Sequence, residues 1–275
     1  MKILFCGDVV GRAGRLAIAK HLPIIKNQEK ISFTIVNCDN ASGGFGINQN
    51  SYQELIDCGI DVLTGGDHIW DQKDIGSFIG KKNNLLRPLN FPSHLPGNGF
   101  GEFDILGNKV LVVHLMGQVF MKYQLDCPFN AIDTLLATKK LGKDYEAIFV
   151  DFHAEATSEK MAMAHFLDGR VSAVVGSHTH IPTNDCHILA NGTAYQTDAG
   201  MCGDYNSVIG MEIAAPLKSF LNKRRADRFI AANGEATFCG TIIEISNNGL
   251  AKKITPIKIG GILMADNNIS MFKAV

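Results

Sequence analysis

The stretch KILFCGD, residues 2–8, decides the fold expected for this chain, because it is an apolar run of strand length that stops at an aspartate. Four later runs stop in the same way, at Asp, Asn or His. Their length and their β-branched and aromatic residues are typical of buried strands. The four runs are FTIVNCDN (33–40), DVLTGGDH (61–68), AIFVDFH (147–153) and SAVVGSHTH (172–180).

Segments with a helical pattern alternate with these strand-like runs. We predict helices over residues 49–58, 130–140 and 156–168, and a glycine-rich loop, ASGGFG, over residues 41–46. Alternation of strands and helices indicates βαβ units and a mainly parallel sheet, which is the α/β class.

The second half of the chain contains a hairpin pattern and a series of short strands. Residues 103–117 are predicted to form a hairpin that turns at Gly107-Asn108. The strands that follow residue 186 are expected to form a second, antiparallel sheet packed on the first. Residues 1–275 are therefore expected to form one domain with an αββα-type sandwich.

The segment 82–101, KNNLLRPLNFPSHLPGNGFG, is rich in proline, asparagine and glycine and is predicted to be a long irregular loop. Loops of this kind often act as lids or contact a substrate. A plain surface excursion is the alternative.

The polar residues that end the five runs are candidate metal ligands. In α/β sheets, ligands bind beyond the carboxyl ends of the strands, so these side chains are expected to lie together. Carboxylate, amide and imidazole groups suit two metal ions. The candidates are Asp8, Asp39, Asn40, Asp67, His68, His153, His178 and His180.

Each candidate also has a plainer interpretation when it is taken alone. Asp8 can be a helix N-cap, Asp39-Asn40 can open an Asx-turn, and His68 can be a solvated loop residue. The pair His178 and His180 is more specific, because residues i and i+2 of an extended chain point the same way. Five such strand ends in one chain are hard to explain by coincidence.

Composition narrows the possible function classes. The chain has 275 residues, of which 46% are hydrophobic and 19% charged, and its net charge is −1. This charge gives no general attraction to nucleic acid or to an anionic membrane. No signal peptide or membrane-spanning stretch is predicted, so a cytoplasmic location is expected. Seven scattered cysteines without a C-x-x-C pair argue against a disulfide framework and against a thiolate zinc site.

The chain also carries a basic cluster, Lys223, Arg224, Arg225 and Arg228. We interpret it as a solvated helix end. Binding of an anion is the alternative.

Several longer motifs resemble one known family, the YmdB-like family of calcineurin-type metallophosphoesterases. The similarity extends through most of the chain. The motifs are GDVVGRAGR (7–15), NASGGFGI (40–47), GDHIWD (66–71), VDFHAEATSEK (150–160), DGRVSAVVGSHTHIPT (168–183) and GTAYQTDAGMCG (192–203).

The resemblance implies a four-layer α/β/β/α sandwich with a dinuclear metal centre. Iron is the expected metal, with manganese or another transition metal as the alternative. The implied activity is hydrolysis of phosphodiesters, including cyclic nucleotides, by a hydroxide that bridges the metals. A homo-oligomer is also implied.

Residue roles follow from the same resemblance. One metal would be held by Asp8, Asp39, Asn40 and His180. The other would be held by Asp39 as the bridge, Asp67, His153 and His178. His68 would donate the proton to the leaving group.

Two positions depart from the family pattern. Asp39 stands where the family has Glu, and Asp67 stands where it has Asn in a G-N-H motif. The extra carboxylate is expected to tighten cation binding but to weaken the attraction for phosphate. Two rival functions are therefore kept: a phosphomonoesterase or 5′-nucleotidase, and a metal-dependent sensor that binds a nucleotide without turnover.

Overall fold

A computed structural model describes residues 1–105, 107–224 and 227–263 of the chain. The domain predicted over residues 1–275 therefore includes residues 264–275, which lie outside the described part. The strands of the described part are β1 (Lys2–Cys6), β2 (Asp8–Val9), β3 (Phe33–Asn37), β4 (Val62–Thr64), β5 (Leu85–Leu86), β6 (Phe100–Ile105), β7 (Asn108–Met116), β8 (Ala147–His153), β9 (Ala173–Ser177), β10 (His187–Ile188), β11 (Ala194–Gln196), β12 (Met201–Asp204), β13 (Ala236–Ile245) and β14 (Ala251–Ile259).

The helices lie close to the positions predicted from sequence. Three predicted helices are present with bounds shifted by one or two residues, and a short 3₁₀ turn follows α3 at Ile79–Lys81. In the described residues, no helix is both long enough and apolar enough to span a membrane. The helices are α1 (Gly11–Glu29), α2 (Gln49–Asp57), α3 (Ile75–Phe78), α4 (Pro128–Thr138), α5 (Thr157–Leu167) and α6 (Ala214–Asn222).

The strands form two sheets. In the first, β1, β3, β4 and β5 run parallel in that order, as the βαβ pattern predicts. In the second, β7, β8, β9 and β11 run parallel, with β6 and β10 antiparallel at the edges. The predicted hairpin is β6 and β7, which turn at Gly107-Asn108; residue 106 lies outside the described part.

The prediction that the strands after residue 186 form their own antiparallel sheet was wrong. β13 pairs antiparallel with β1 in the first sheet and carries β14 on its other side. β11 instead joins β9 in the second sheet. The reason is burial: β13 is apolar on both faces, so it occupies an interior position rather than half-exposed sheet.

Alternating side chains of the strands divide the interior into three apolar layers. Phe5 of β1 and Phe149 of β8 meet between the sheets, with ring centroids 5.2 Å apart. Leu4 and Cys6 of β1 face the helices on the outer side of the first sheet. Val150 and Phe152 of β8 face the helices outside the second sheet. Three apolar layers separate four structural layers, so the predicted α/β/β/α sandwich of the metallophosphoesterase type is confirmed.

The layer between the sheets changes from apolar to polar towards the carboxyl ends of the strands. On one face of β7, Val110 and Val112 are followed by His114. On the matching face of β8, Phe149 is followed by Asp151. Because strand side chains alternate with a period of two, the apolar core between the sheets leads directly into a polar cluster.

The Asp151 carboxylate is the centre of this cluster. It accepts hydrogen bonds from Asn37 Nδ2 at 3.0 Å and Thr64 Oγ1 at 2.6 Å, both in the opposite sheet. It also accepts one from Ser177 Oγ at 2.7 Å and lies 3.1 Å from His114 Nδ1. Burial acts to raise the pKa of Asp151, but His114 and the hydrogen bonds outweigh it and hold the pKa at about 2. The charged carboxylate therefore joins β3, β4, β7, β8 and β9.

We predict that removing only the charge of Asp151 strongly lowers the stability of the fold. Asp151→Asn leaves hydrogen-bond donors facing an amide in a fully buried site, so the free energy of unfolding should fall by about 3–5 kcal/mol. Denaturant unfolding measures this. The matched control is Asp133→Asn, an exposed aspartate paired with Arg170, which should change stability by less than about 1 kcal/mol. Equal effects of the two substitutions would contradict the role assigned to Asp151.

Candidate metal centre

The structure brings all eight predicted side chains into one cluster at the carboxyl ends of the strands, and five of them line a cleft: Asp39, Asn40, His68, His178 and His180. Asp39 and Asp67 come from the first sheet and His153 and His178 from the second, so the cleft lies across the junction of the sheets. Asp8 does not cap α1, because the N-cap position is Val10, which makes no side-chain cap hydrogen bond. The helix-cap interpretation of Asp8 was therefore wrong.

One group of side chains gathers around His153. His153 Nε2 lies 3.2 Å from Asp67 Oδ1, 3.4 Å from Asp39 Oδ2 and 3.1 Å from His178 Nδ1. His178 Nδ1 lies 3.3 Å from Asp67 Oδ1. Donor atoms of Asp67, His153 and His178 thus fall within 4.8 Å of one another.

A second group gathers around His180. His180 Nε2 lies 3.2 Å from Asn40 Oδ1 and 3.9 Å from Asp8 Oδ1. The opposite ring nitrogen, Nδ1, lies 2.8 Å from the Ile209 carbonyl oxygen, which fixes the ring with Nε2 towards the cleft. Asn40 also donates from Nδ2 to the Gly44 carbonyl, so it opens the glycine loop and faces His180 at once.

Gly66 makes room for His153 in the first group. A Cβ added at Gly66 would lie 2.2 Å from ring atoms of His153, which is far inside van der Waals contact. Any side chain at this position would displace the imidazole. The glycine before Asp67 is therefore required by the packing of the cluster.

The two histidines of the H-x-H motif are not on extended chain, contrary to the sequence interpretation. β9 ends at Ser177, and His178 and His180 have φ angles of 96° and 67°, in the left-handed region. Non-glycine residues adopt this region at a cost of order 1–3 kcal/mol each. The turn, rather than strand alternation, aims the two rings.

A buried ion pair holds this turn. Lys160 Nζ of α5 donates to Asp198 Oδ2 and to the Ser177 carbonyl, both at 2.8 Å. Asp198 Oδ2 accepts in turn from Thr179 N at 3.1 Å and from Thr179 Oγ1 at 2.7 Å. Since Lys160 and Asp198 are almost fully buried, the pair fixes the residue between the two histidines.

The carboxylates of the cluster differ in how their surroundings shift their pKa values. Burial raises the pKa of Asp8 to about 7, although His153 opposes it. Burial acts the same way on Asp67, but hydrogen bonds from His153 and His178 outweigh it and hold the pKa of Asp67 well below its usual range. Burial alone would lower the pKa of His153, whereas Asp39 and Asp67 raise it well above its usual value. Asp67 is thus compensated by imidazoles, whereas Asp8 is not.

The donor set fits metal ions. Asp8 Oδ1 is buried and has no hydrogen-bond partner among the described residues, so this side of the carboxylate lacks compensation for its burial. Three carboxylates, an amide and three imidazoles converge on one cleft, and a second set of donor atoms within 4.8 Å comprises Asp39, Asp67 and His68. Oxygen and nitrogen donors of these kinds suit divalent metal ions.

His68 lies at the edge of the cluster and not at its centre. Its Nδ1 lies 2.7 Å from Asp71 Oδ2, and its Nε2 lies 3.8 Å from Asp67 Oδ2. The His68 backbone N–H contacts both carboxylate oxygens of Asp39 at 3.1 Å, which ties the residue to the cluster. Phe45 packs edge-on against the ring at a centroid distance of 5.1 Å.

The cleft has a volume of about 700 Å³ and an apolar wall beside the candidate ligands. Ile209, Met211, Pro216 and Phe220 form much of this wall, and Phe220 is 72% exposed. At its far end the cleft is also lined by two members of the basic cluster, Lys223 and Arg224. Residue 225 of that cluster lies outside the described part of the chain.

The proline-rich segment 82–101 contributes no side chain to the described lining of the cleft. The lining of the cleft thus gives no support to the interpretation of this loop as a lid. Arg87 binds the carbonyls of Pro88, Leu95 and Pro96 and folds the loop on itself.

Sequence reasoning missed the residues that support the ligands. Asp71, Asp151 and the pair Lys160–Asp198 were not assigned any role. Asp151 and Asp71 carried a usable signal in the sequence. Asp151 is a charge inside the buried run AIFVDFH and so requires a partner, and Asp71 follows His68 by three residues in GDHIWD. The partner of Lys160 is 38 residues away and gave no such signal.

Comparison with known proteins agrees with this geometry. The model of the YmdB-like protein family matches residues 4–257. A protein of Bacillus subtilis (strain 168), named 2′,3′-cyclic-nucleotide 2′-phosphodiesterase, is 43% identical over 269 residues, covering 98% of this chain and 99% of that protein.

Solved structures agree as well. A hypothetical protein from Thermus thermophilus superposes with a TM-score of 0.89 at 41% identity, covering 95% of this chain and 100% of that one. A structure described as a novel phosphatase from Mycoplasma pneumoniae gives 0.88 at 33% identity, covering 94% and 93%. These findings confirm the predicted family, and the chain is a hydrolase of the phosphodiesterase type. It belongs to the YmdB-like family.

Proposed function

We propose that this protein is a metal-dependent phosphodiesterase that opens 2′,3′-cyclic nucleotides. The observation that carries the proposal is the convergence of seven oxygen and nitrogen ligands beside a histidine held by its own carboxylate, at the floor of a cleft with an apolar wall. The activity for which the Bacillus subtilis relative is named supports the choice of substrate.

The two contact groups suggest how the ligands divide. Asp8, Asp39, Asn40 and His180 would hold one ion, and Asp39, Asp67, His153 and His178 would hold the other. Two ions bound there would activate water and offset the charge of the phosphate. Iron, or else manganese or another transition metal, suits a donor set of imidazoles and carboxylates without thiolates.

Asp39 is the natural shared ligand. Its carboxylate lies 3.4 Å from His153 Nε2 of one group and accepts from the His68 backbone N–H, while the backbone N–H of Asp39 donates to Asn37 Oδ1. Asn37 in turn donates to Asp151. The position of Asp39 is therefore set by the same polar cluster that joins the sheets.

His68 supplies the proton for the leaving oxygen. Asp71 accepts from Nδ1, which orients the ring and leaves Nε2 to face the cleft. Once protonated, Nε2 can donate to an alkoxide that departs from phosphorus. No covalent bond between substrate and protein is required.

The apolar wall is proposed to hold the nucleobase. Met211, Pro216 and Phe220 present apolar surface to the cleft. An aromatic ring such as a nucleobase packs well against such a surface. A cytoplasmic location and a homo-oligomeric state stay predictions.

Phosphomonoester hydrolysis is the second candidate, because the similar Mycoplasma pneumoniae structure is described as a phosphatase. One preparation loaded with metal can separate the possibilities. We expect hydrolysis of adenosine 2′,3′-cyclic phosphate with kcat/KM at least about tenfold above that for the 2′- and 3′-monophosphates, since the diester carries one negative charge fewer and is repelled less by the three carboxylates of the site.

Three outcomes of that experiment are informative. Faster release of inorganic phosphate from the monoesters would favour the phosphomonoesterase. Tight nucleotide binding without turnover, under iron, manganese, cobalt or nickel, would favour the sensor. Equal activity before and after removal of metal would contradict both enzyme assignments.

His68→Gln should lower kcat by about 10²–10⁴-fold, because general acid catalysis contributes that much, and should leave two metals bound. Metal content matters here because His68 also lies within reach of Asp39 and Asp67. Elemental analysis together with steady-state kinetics provides both readouts. His165→Gln, on the exposed side of α5, is the matched control and should behave as the wild type. Loss of one metal in His68→Gln would make His68 a ligand instead.

A further inference from the structure

A second cavity of about 820 Å³ adjoins the metal cleft. The two cavities share Phe45 and His68, whose edge-on contact forms the partition between them. Whereas the first has an apolar wall, the second, here called the polar groove, is lined largely by charged and polar side chains. Those used below are Arg15, Asn48, Ser51, Gln72, Lys122 and Arg228.

The cations of the polar groove differ in how strongly they are already paired. Arg15 Nε lies 2.6 Å from Glu54, so its charge is compensated. Lys122 Nζ lies 3.6 Å from Asp71, and half of its side chain is exposed. Arg228 is exposed and forms no ion pair within residues 1–105, 107–224 and 227–263. Lys122 and Arg228 are therefore the cations available to an anion.

The other lining groups add hydrogen-bonding capacity without negative charge. Asn48 and Ser51 lie at the start of α2 and are uncharged, whereas Gln72 already donates from Nε2 to the Ser42 and Phe45 carbonyls, at 3.2 and 2.5 Å, and offers no further donor. Asp71 is the single carboxylate among the described lining residues, and it is occupied by His68 and Lys122. The groove as a whole thus favours an anion.

The position of His68 links the two cavities. A proton donor must touch the oxygen that leaves phosphorus, so the leaving side of the substrate lies next to the partition. A substrate seated with its reacting phosphate on the metal side extends past Phe45 and His68 into the polar groove.

We propose that the polar groove binds a second phosphate of the substrate, one ribose away from the reacting one. This inference rests on the proposed function and narrows its substrate class. The enzyme would then prefer 2′,3′-cyclic nucleotides whose ribose carries a further phosphate on its 5′ oxygen. That phosphate occurs as a free 5′-phosphate or as the linkage to a preceding nucleotide.

Binding of product-like nucleotides tests the groove without requiring turnover. Calorimetry on the metal-loaded protein compares adenosine 3′,5′-bisphosphate with adenosine 3′-monophosphate. We expect about tenfold tighter binding of the bisphosphate, as one or two charge-assisted hydrogen bonds would give. The ratio should fall to about one in Arg228→Ala and in Lys122→Ala. It should persist in Lys252→Ala, which removes an exposed lysine outside the groove.

The second phosphate site and the proposed hydrolysis are overturned by different results. Equal affinities for the two nucleotides, no detectable binding of either, or an unchanged ratio in Arg228→Ala and Lys122→Ala would overturn the second phosphate site. A tenfold ratio that both substitutions abolish, in a protein that hydrolyses no cyclic nucleotide, would support the groove and overturn the hydrolytic assignment.

A third ligand separates the two sources of the phosphate. A dinucleotide with a 3′-terminal phosphate should bind as tightly as the bisphosphate if the groove accepts the end of an oligonucleotide. Weaker binding of the dinucleotide would assign the groove to a free 5′-phosphate.

Discussion

The buried carboxylate of Asp151 is the constraint on which the metal centre depends. It lies where the apolar layer between the sheets ends, and it accepts hydrogen bonds from both sheets. Its partner Ser177 contacts His153 Nδ1 at 2.9 Å, and its partner Asn37 fixes the backbone of Asp39. The buried Asp151 carboxylate is stable only where the strands hold its hydrogen-bond donors in place. Because two of those donors also position His153 and Asp39, the packing of the two sheets sets the geometry of the candidate ligands.

The cleft concentrates negative charge that imidazoles compensate only in part. Asp39 and Asp67 lie against His153, whereas Asp8 is buried with one oxygen that has no partner among the described residues. Cations bound at this place would offset the cost of burying the Asp8 carboxylate. The His178–His180 turn also carries backbone strain, and the buried pair Lys160–Asp198 supports the conformation that aims the two rings at the cluster.

The location of the site could be predicted from the sequence because its signal is local. An apolar run ending in Asp or His places a ligand at a strand end, and parallel strands bring such ends together. Sheet membership of β13 could not be predicted, since a strand that is buried on both faces fits either sheet. The orientation of His178 and His180 also required the structure, because it depends on Lys160 and Asp198. Much of the cleft wall comes from α6 and from the segment around Ile209 and Met211, and neither carries a motif that separates it from ordinary surface.

The central claim is that two metal ions bind between the sheets and share Asp39. Anomalous diffraction from crystals of the metal-loaded protein, recorded at the absorption edges of iron and manganese, tests it most directly. The account predicts two peaks, one beside Asp8, Asn40 and His180 and one beside Asp67, His153 and His178, with Asp39 contacting both. A single peak, or two peaks that do not share Asp39, would contradict it.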